Sequence, residues 1–158
     1  MQPRVDNVFP LRAQGTSLYD LPVPVERLRT AVQELDTLRC CVERVACEPH
    51  WSALEWRAAC TPLMLRLPGA RQALAGLADI TPGQWPDTGW AVRLAAARDE
   101  VERRLADVST SLSALTHGKP IAVDAVIGFG VEGTSLAKAA DELSGLIASR
   151  YPDAVSAG

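Results

Sequence analysis

The stretch RCCVERVACEPHW, residues 39–51, sets Cys40, Cys41, Cys47 and His50 close together, and Cys60 follows soon after. Thiolates and imidazoles ligate zinc, and a thiol beside an imidazole is also the pairing that activates cysteine nucleophiles. Both chemistries require convergence. Tetrahedral zinc, with sulfur bonds near 2.3 Å, holds its donors about 4 Å apart. On a helix, Cys40 and Cys41 point about 100° apart, while Cys40 and Cys47 share a side but lie about 10.5 Å apart along the axis. One ion cannot take both, and a disulfide cannot join Cα atoms more than about 7 Å apart. Cys41 follows Leu38 by three residues and precedes Val45 by four, so it reads as part of an apolar stripe, packing as a small hydrophobe. Cys47 and His50 form a C-x2-H pair at a helix end to which Cys60 could return across a hairpin. A thiol or metal protein using Cys47, His50 and Cys60 is therefore one alternative, although the second half-site of a standard structural zinc site is missing. His50, between Pro49 and Trp51, is otherwise expected to cap a helix end.

A second candidate is VIGFGVEGTSLAKAADEL, where Gly128, Gly130 and Gly133 spell G-x-G-x-x-G between an apolar run, IAVDAVI, and a helical pattern. Over about fifteen residues this resembles the phosphate-binding turn of dinucleotide-binding proteins, in which glycines let the backbone approach a pyrophosphate at a helix N-terminus. The resemblance implies an anion-binding loop over 128–135, with Thr134 and Ser135 adding hydroxyl donors. The surroundings oppose a complete nucleotide-binding fold. Such a unit needs further parallel strands and an acidic residue about 20 positions on. Asp153 stands near that count, but in the terminal YPDAVSAG with no strands to join. A small-ligand or nucleotide-phosphate binder remains the first alternative function, and a plain connection into the last helix is the structural reading.

The elements that must position these residues are helical. Val25, Leu28, Val32, Leu35, Leu38, Val42 and Val45 recur every three or four residues, predicting a helix over 24–47 with Pro24 in its first turn and Pro49 beyond its end. WSALEWRAACTPLMLRLPGARQALAGLADI is apolar nearly all round. Pro62 and Pro68 are expected to divide it into pieces over 51–60, 62–67 and 69–79. After the turn-rich TPGQWPDTG, an N-cap at Asp87 or Thr88 opens a long helix carrying Trp90, Leu94, Ala97, Val101, Leu105, Val108, Leu112 and Leu115, stopped at His117-Gly118. A last helix is expected from Thr134 to about Arg150. These helices predict an all-α antiparallel bundle over 24–151. Before it, residues 1–23 mix prolines and polar residues and read as an extended arm with the apolar anchors Val8, Phe9, Leu11 and Leu18. After it, 152–158 read as a tail.

The chain has 158 residues, 47% hydrophobic and 22% charged, an ordinary balance for one globular domain. A net charge of -3 argues against a general nucleic-acid binder, because phosphate binding needs clustered cations. Its fourteen Arg and two Lys are interspersed with carboxylates, as in RDEVERR. No signal-peptide core and no uninterrupted apolar run of eighteen residues is present, so no membrane association and a cytoplasmic location are expected. No cofactor is implied. Trp51, Trp56, Trp85 and Trp90 fall within forty residues and either fill the core or, with Arg93, mark a partner surface. The expected function is a non-enzymatic interaction or assembly module: a small bacterial adaptor, regulator or structural subunit. It would bind another protein, or itself, through helix faces and the arm, with Phe9, Leu11, Leu18, Trp85, Trp90 and Arg93 as candidate contacts.

Overall fold

A computed structural model describes residues 24–80, 85, 87–117 and 121–155. The arm assigned to 1–23, including Phe9, Leu11 and Leu18, lies outside the described residues. Four long helices, α1 (Val25–Cys47), α2 (Ala53–Ala78), α3 (Thr88–Thr116) and α4 (Val123–Arg150), are followed by a one-turn helix, α5 (Pro152–Val155). No strand occurs among the described residues. The long helices pack as a ring, α1 on α2, α2 on α3, α3 on α4 and α4 back on α1, so the diagonal pairs are α1/α3 and α2/α4.

Cross-helix contacts establish that neighbours run antiparallel. Arg27, at the start of α1, donates to the Gly76 carbonyl near the end of α2. Trp90, at the start of α3, donates to the Leu146 carbonyl near the end of α4. Arg39 in the middle of α1 approaches Asp141 of α4 at 3.8 Å, and Arg29 nearer its start donates to the Asp153 carbonyl beyond the end of α4. The all-α antiparallel bundle expected from the periodicity is the observed architecture. Its core is one continuous cluster drawing on Leu35 and Leu38 of α1, Leu63 and Leu74 of α2, Leu105 and Leu112 of α3, and Leu136 and Leu143 of α4. Such aliphatic burial dominates the stability of a helical bundle.

The structure corrects the sequence reading at three places. The segment over 53–78 is one continuous helix, although Pro62 and Pro68 lie inside it. Each proline removes a donor to the carbonyl four residues back. Pro62 and Pro68 are exposed, and so are Ala58 and Met64, whose carbonyls lose that donor, so water can reach them. The inner face meanwhile buries Trp56, Cys60, Leu63, Leu67, Ala70, Leu74 and Leu77. That packing outweighs the local cost.

The second correction concerns α4, which begins at Val123 rather than Thr134 and takes in IAVDAVI and all three glycines. Its buried residues Phe129, Gly133, Leu136, Ala140, Leu143 and Ile147 continue the three-four spacing of the last helix upstream, with Gly133 occupying a core position. A Cβ built on Gly133 would meet Val42 Cγ1 of α1 at 2.7 Å, so the absence of a side chain there lets α1 and α4 approach. The third correction is at the C-terminus. Residues 152–155 form α5, packed on α1 and α4 with Ala154 buried, where a tail was expected.

Candidate interaction surface

The sequence-predicted sites resolve separately. Gly128, Gly130, Gly133, Thr134 and Ser135 all lie within α4, so the stretch 128–135 is not a loop. Backbone N–H groups inside a helix are committed to carbonyls one turn back and cannot cradle a phosphate. The Thr134 hydroxyl, read as a possible anion donor, donates instead to the Gly130 carbonyl at 2.9 Å.

Cys47, His50 and Cys60 do not form a common site. Cys47 is exposed at the end of α1 and Cys60 is fully buried in α2. Burial pushes the Cys60 thiol up to about 11, so it stays protonated and packs as an apolar group. His50 Nε2 lies 3.0 Å from the Val45 carbonyl and the ring rests on Trp56, with centroids 4.4 Å apart. It therefore closes the C-terminal end of α1, as the sequence reading expected of it. Among the described residues no three His, Cys, Asp or Glu side chains are placed to hold one metal ion. Cys41 is half-buried on the flank of the α1 stripe, and Cys40 is exposed.

Trp90, a candidate partner contact, is only 1% exposed and belongs to the core. Its indole N–H donates to the Leu146 carbonyl at 3.0 Å, and its ring contacts Trp85 and Tyr151. The sequence around it explains the arrangement. Asp87 caps α3 by accepting from the backbone N–H groups of Trp90 and Gly89, and Arg150 of α4 reaches its other oxygen at 2.5 Å. The Trp90 N–H bond, then the Gly89 bond and the cations Arg150 and Arg93, hold the Asp87 carboxyl below its ordinary range. Burial pushes the neighbouring Tyr151 phenol upward. This cluster fastens the start of α3 to the end of α4. Trp85 is half-buried beside it, which leaves Arg93 as the exposed one among the described members of the predicted set.

What the sequence reading passed over is the outer face of α2. Leu54, Ala58, Thr61, Leu65, Pro68, Gln72 and Ala75 follow one another along it at alternating steps of four and three, Trp51 stands just ahead of the N-cap Ser52, and every one is exposed. None carries a charge. Trp51 is 84% exposed, Leu54 70% and Leu65 76%, and Met64 lies beside them. Ser52 caps the helix and Glu55 holds the residue ahead of it: Ser52 Oγ accepts from the Glu55 N–H at 3.1 Å, and Glu55 Oε1 accepts from the Trp51 N–H at 2.9 Å. The cations Arg57, Arg66 and Arg71 and the single carboxylate Glu55 of α2 stand off this line. α2 is therefore apolar on its inner face and uncharged along this outer line. The signal was present in the sequence as the all-round apolarity of WSALEWRAACTPLMLRLP, which two prolines concealed by suggesting short pieces. A smaller exposed line, Val123, Ile127 and Val131, runs along α4 and gives way to Thr134 and Lys138.

No protein-family model matches the chain, and neither a curated protein nor a solved structure matches it. No helix of the described residues is long and apolar enough to cross a membrane.

Proposed function

We propose that this chain is a non-enzymatic interaction or assembly module, an adaptor, regulator or structural subunit that binds a helical partner along the outer face of α2. The observation that supports this reading is the uncharged, exposed line from Leu54 to Ala75, with exposed Trp51 just ahead of it, on a helix whose opposite face is already buried in the core. Exposed apolar surface organised into one patch is the mark of an interaction site, whereas scattered single residues are not. Trp51 offers the large amphipathic ring that anchors many interfaces. The apolar anchors Phe9, Leu11 and Leu18 offer a second contact segment.

A photo-crosslinking side chain at Thr61, in the middle of the line, tests the proposal in cells. A matched probe at Arg103, exposed on α3 among charged neighbours, is the control. A discrete covalent product from position 61 and none from 103 is expected. Equal labelling from both, or no product from 61, would overturn the assignment of this face.

A further inference from the structure

We infer that residues 16–20 of the N-terminal arm dock into the groove between α1 and α2 of their own chain, held there by Thr16, Leu18 and Asp20. The groove encloses about 500 Å³ and lies between Arg27, Thr30 and Glu34 of α1 and Gly69, Ala73 and Gly76 of α2. Its floor is low, because two glycines and an alanine make the α2 side. Its two ends differ in charge. Arg27, near the start of α1, donates to the Gly76 carbonyl at 3.4 Å and meets no carboxylate among the described residues. Glu34, half-buried at the other end, lies over Gly69, with Oε1 2.5 Å from where a Cβ there would stand. No cation or hydrogen-bond donor meets its carboxylate among the described residues.

The position and chemistry of the arm select it as the occupant. Residues 1–23 join α1 at its N-cap Pro24, one turn from Arg27, so the arm starts at the mouth of this groove. A short tether gives it an effective concentration there on the order of millimolar, so weak contacts suffice to hold it. Leu21-Pro22-Val23-Pro24 has proline at the second of four positions, where a reverse turn favours it, and such a turn sends the arm back along α1. In an extended segment alternate residues share a side, so Thr16, Leu18 and Asp20 face one way over about 13 Å. In that order they offer a hydroxyl donor, an apolar group and a carboxylate. The groove offers the Glu34 carboxylate, the Ala73 floor and the Arg27 guanidinium in the same order, over about 10.5 Å of helix. Asp20 therefore meets Arg27, Leu18 lies on Ala73, and Thr16 donates to Glu34. The opposite direction would set Asp20 against Glu34. Phe9 and Leu11 fall past the far end of the groove and stay available to a partner, so this docking does not depend on what binds the outer face of α2.

An aliphatic diazirine side chain in place of Leu18, irradiated in the purified full chain, tests the docking, with mass spectrometry locating the insertion. Insertion is expected within 69–76, in a product of monomer mass whose yield does not change with protein concentration. Asp20→Lys should cut that yield about threefold, the scale of one exposed ion pair, and adding Arg27→Glu should restore most of it. Arg27 is exposed, so the double variant should remain folded, which far-ultraviolet circular dichroism checks. Insertion into 69–76 only in a product of twice the monomer mass would put the arm in the groove of a second copy and overturn the inference. Insertion scattered along the chain, or a yield that Asp20→Lys leaves unchanged, would overturn it as well.

Discussion

Gly130 and Gly133 stand three residues apart in the same helix, yet alanine should stabilise the chain at the first and not at the second. Gly lowers helix stability by roughly 1 kcal/mol relative to Ala in a helix interior. A Cβ at Gly130 meets nothing within 4 Å, so Gly130→Ala should gain most of that amount, and Gly128→Ala, equally open, should behave the same way. At Gly133 the new methyl would sit 2.7 Å from Val42 Cγ1, about 1 Å inside an ordinary carbon contact. Val42 cannot move aside easily, being β-branched within α1 and 2% exposed. Overpacking of this kind costs about 1–3 kcal/mol, so Gly133→Ala should be neutral to about 2 kcal/mol destabilising after the helix gain is subtracted. Thermal and denaturant unfolding would measure this. At about 2–4 °C per kcal/mol for a chain of this size, Gly130→Ala should raise the melting temperature by a few degrees while Gly133→Ala lowers it or leaves it unchanged. Combining Gly133→Ala with Val42→Ala should cost less than the sum of the two single changes, since the clash disappears with the valine methyls. The reasoning is refuted if Gly133→Ala stabilises as much as Gly130→Ala, because α1 and α4 would then not be in close contact at this point.

Three further outcomes are expected. The Asp87 carboxyl is held below its ordinary value in the folded chain. Its contribution is therefore complete above the unfolded value of about 3.9 and lost as pH falls through the folded one, so Asp87→Asn, which keeps a capping oxygen, should flatten the acid limb of a stability-against-pH profile. Thiol titration of the native protein at mildly alkaline pH should label Cys40 and Cys47 rapidly and Cys60 only after unfolding; mass spectrometry of the labelled peptides would show Cys60 labelled along with the other two if α2 were rotated in the bundle. Pro62→Ala should stabilise by about 1–2 kcal/mol, restoring a donor to the Ala58 carbonyl at some gain in unfolded-state freedom, and an unchanged denaturation midpoint would contradict a continuous α2.

Much of the fold was legible residue by residue. The stripe from Leu28 to Val45 and the spacing from Trp90 to Leu115 announced α1 and α3 within a residue or so, because a sustained three-four period can be satisfied only by a helix with one buried face. Asp87 as the cap of α3 was equally readable, since its oxygen bonds to backbone N–H groups within its own turn. Prolines and glycines misled the reading. Pro62 and Pro68 break an isolated helix, and Gly128, Gly130 and Gly133 weaken one, so local preference argued for interruption in α2 and for a loop before the last helix. Partners distant in sequence reversed both outcomes.

The candidate sites divided along the same line. Spacing alone separated Cys40 from Cys41 and Cys47, because helix geometry fixes how far apart they must lie, whereas Cys47, His50 and Cys60 stayed open as a site until the structure placed them. That Cys60 is the buried thiol, that Trp90 faces inward to Leu146, and that Trp51, Leu54 and Leu65 face outward depended on how α2 and α3 are rotated within the ring. The sequence by itself determined helical periods, caps and charge balance, which arise from interactions within one or two turns. Only the tertiary structure decided which side of α2 is covered, since two of its sides are free of charge and the choice belongs to the neighbours it meets.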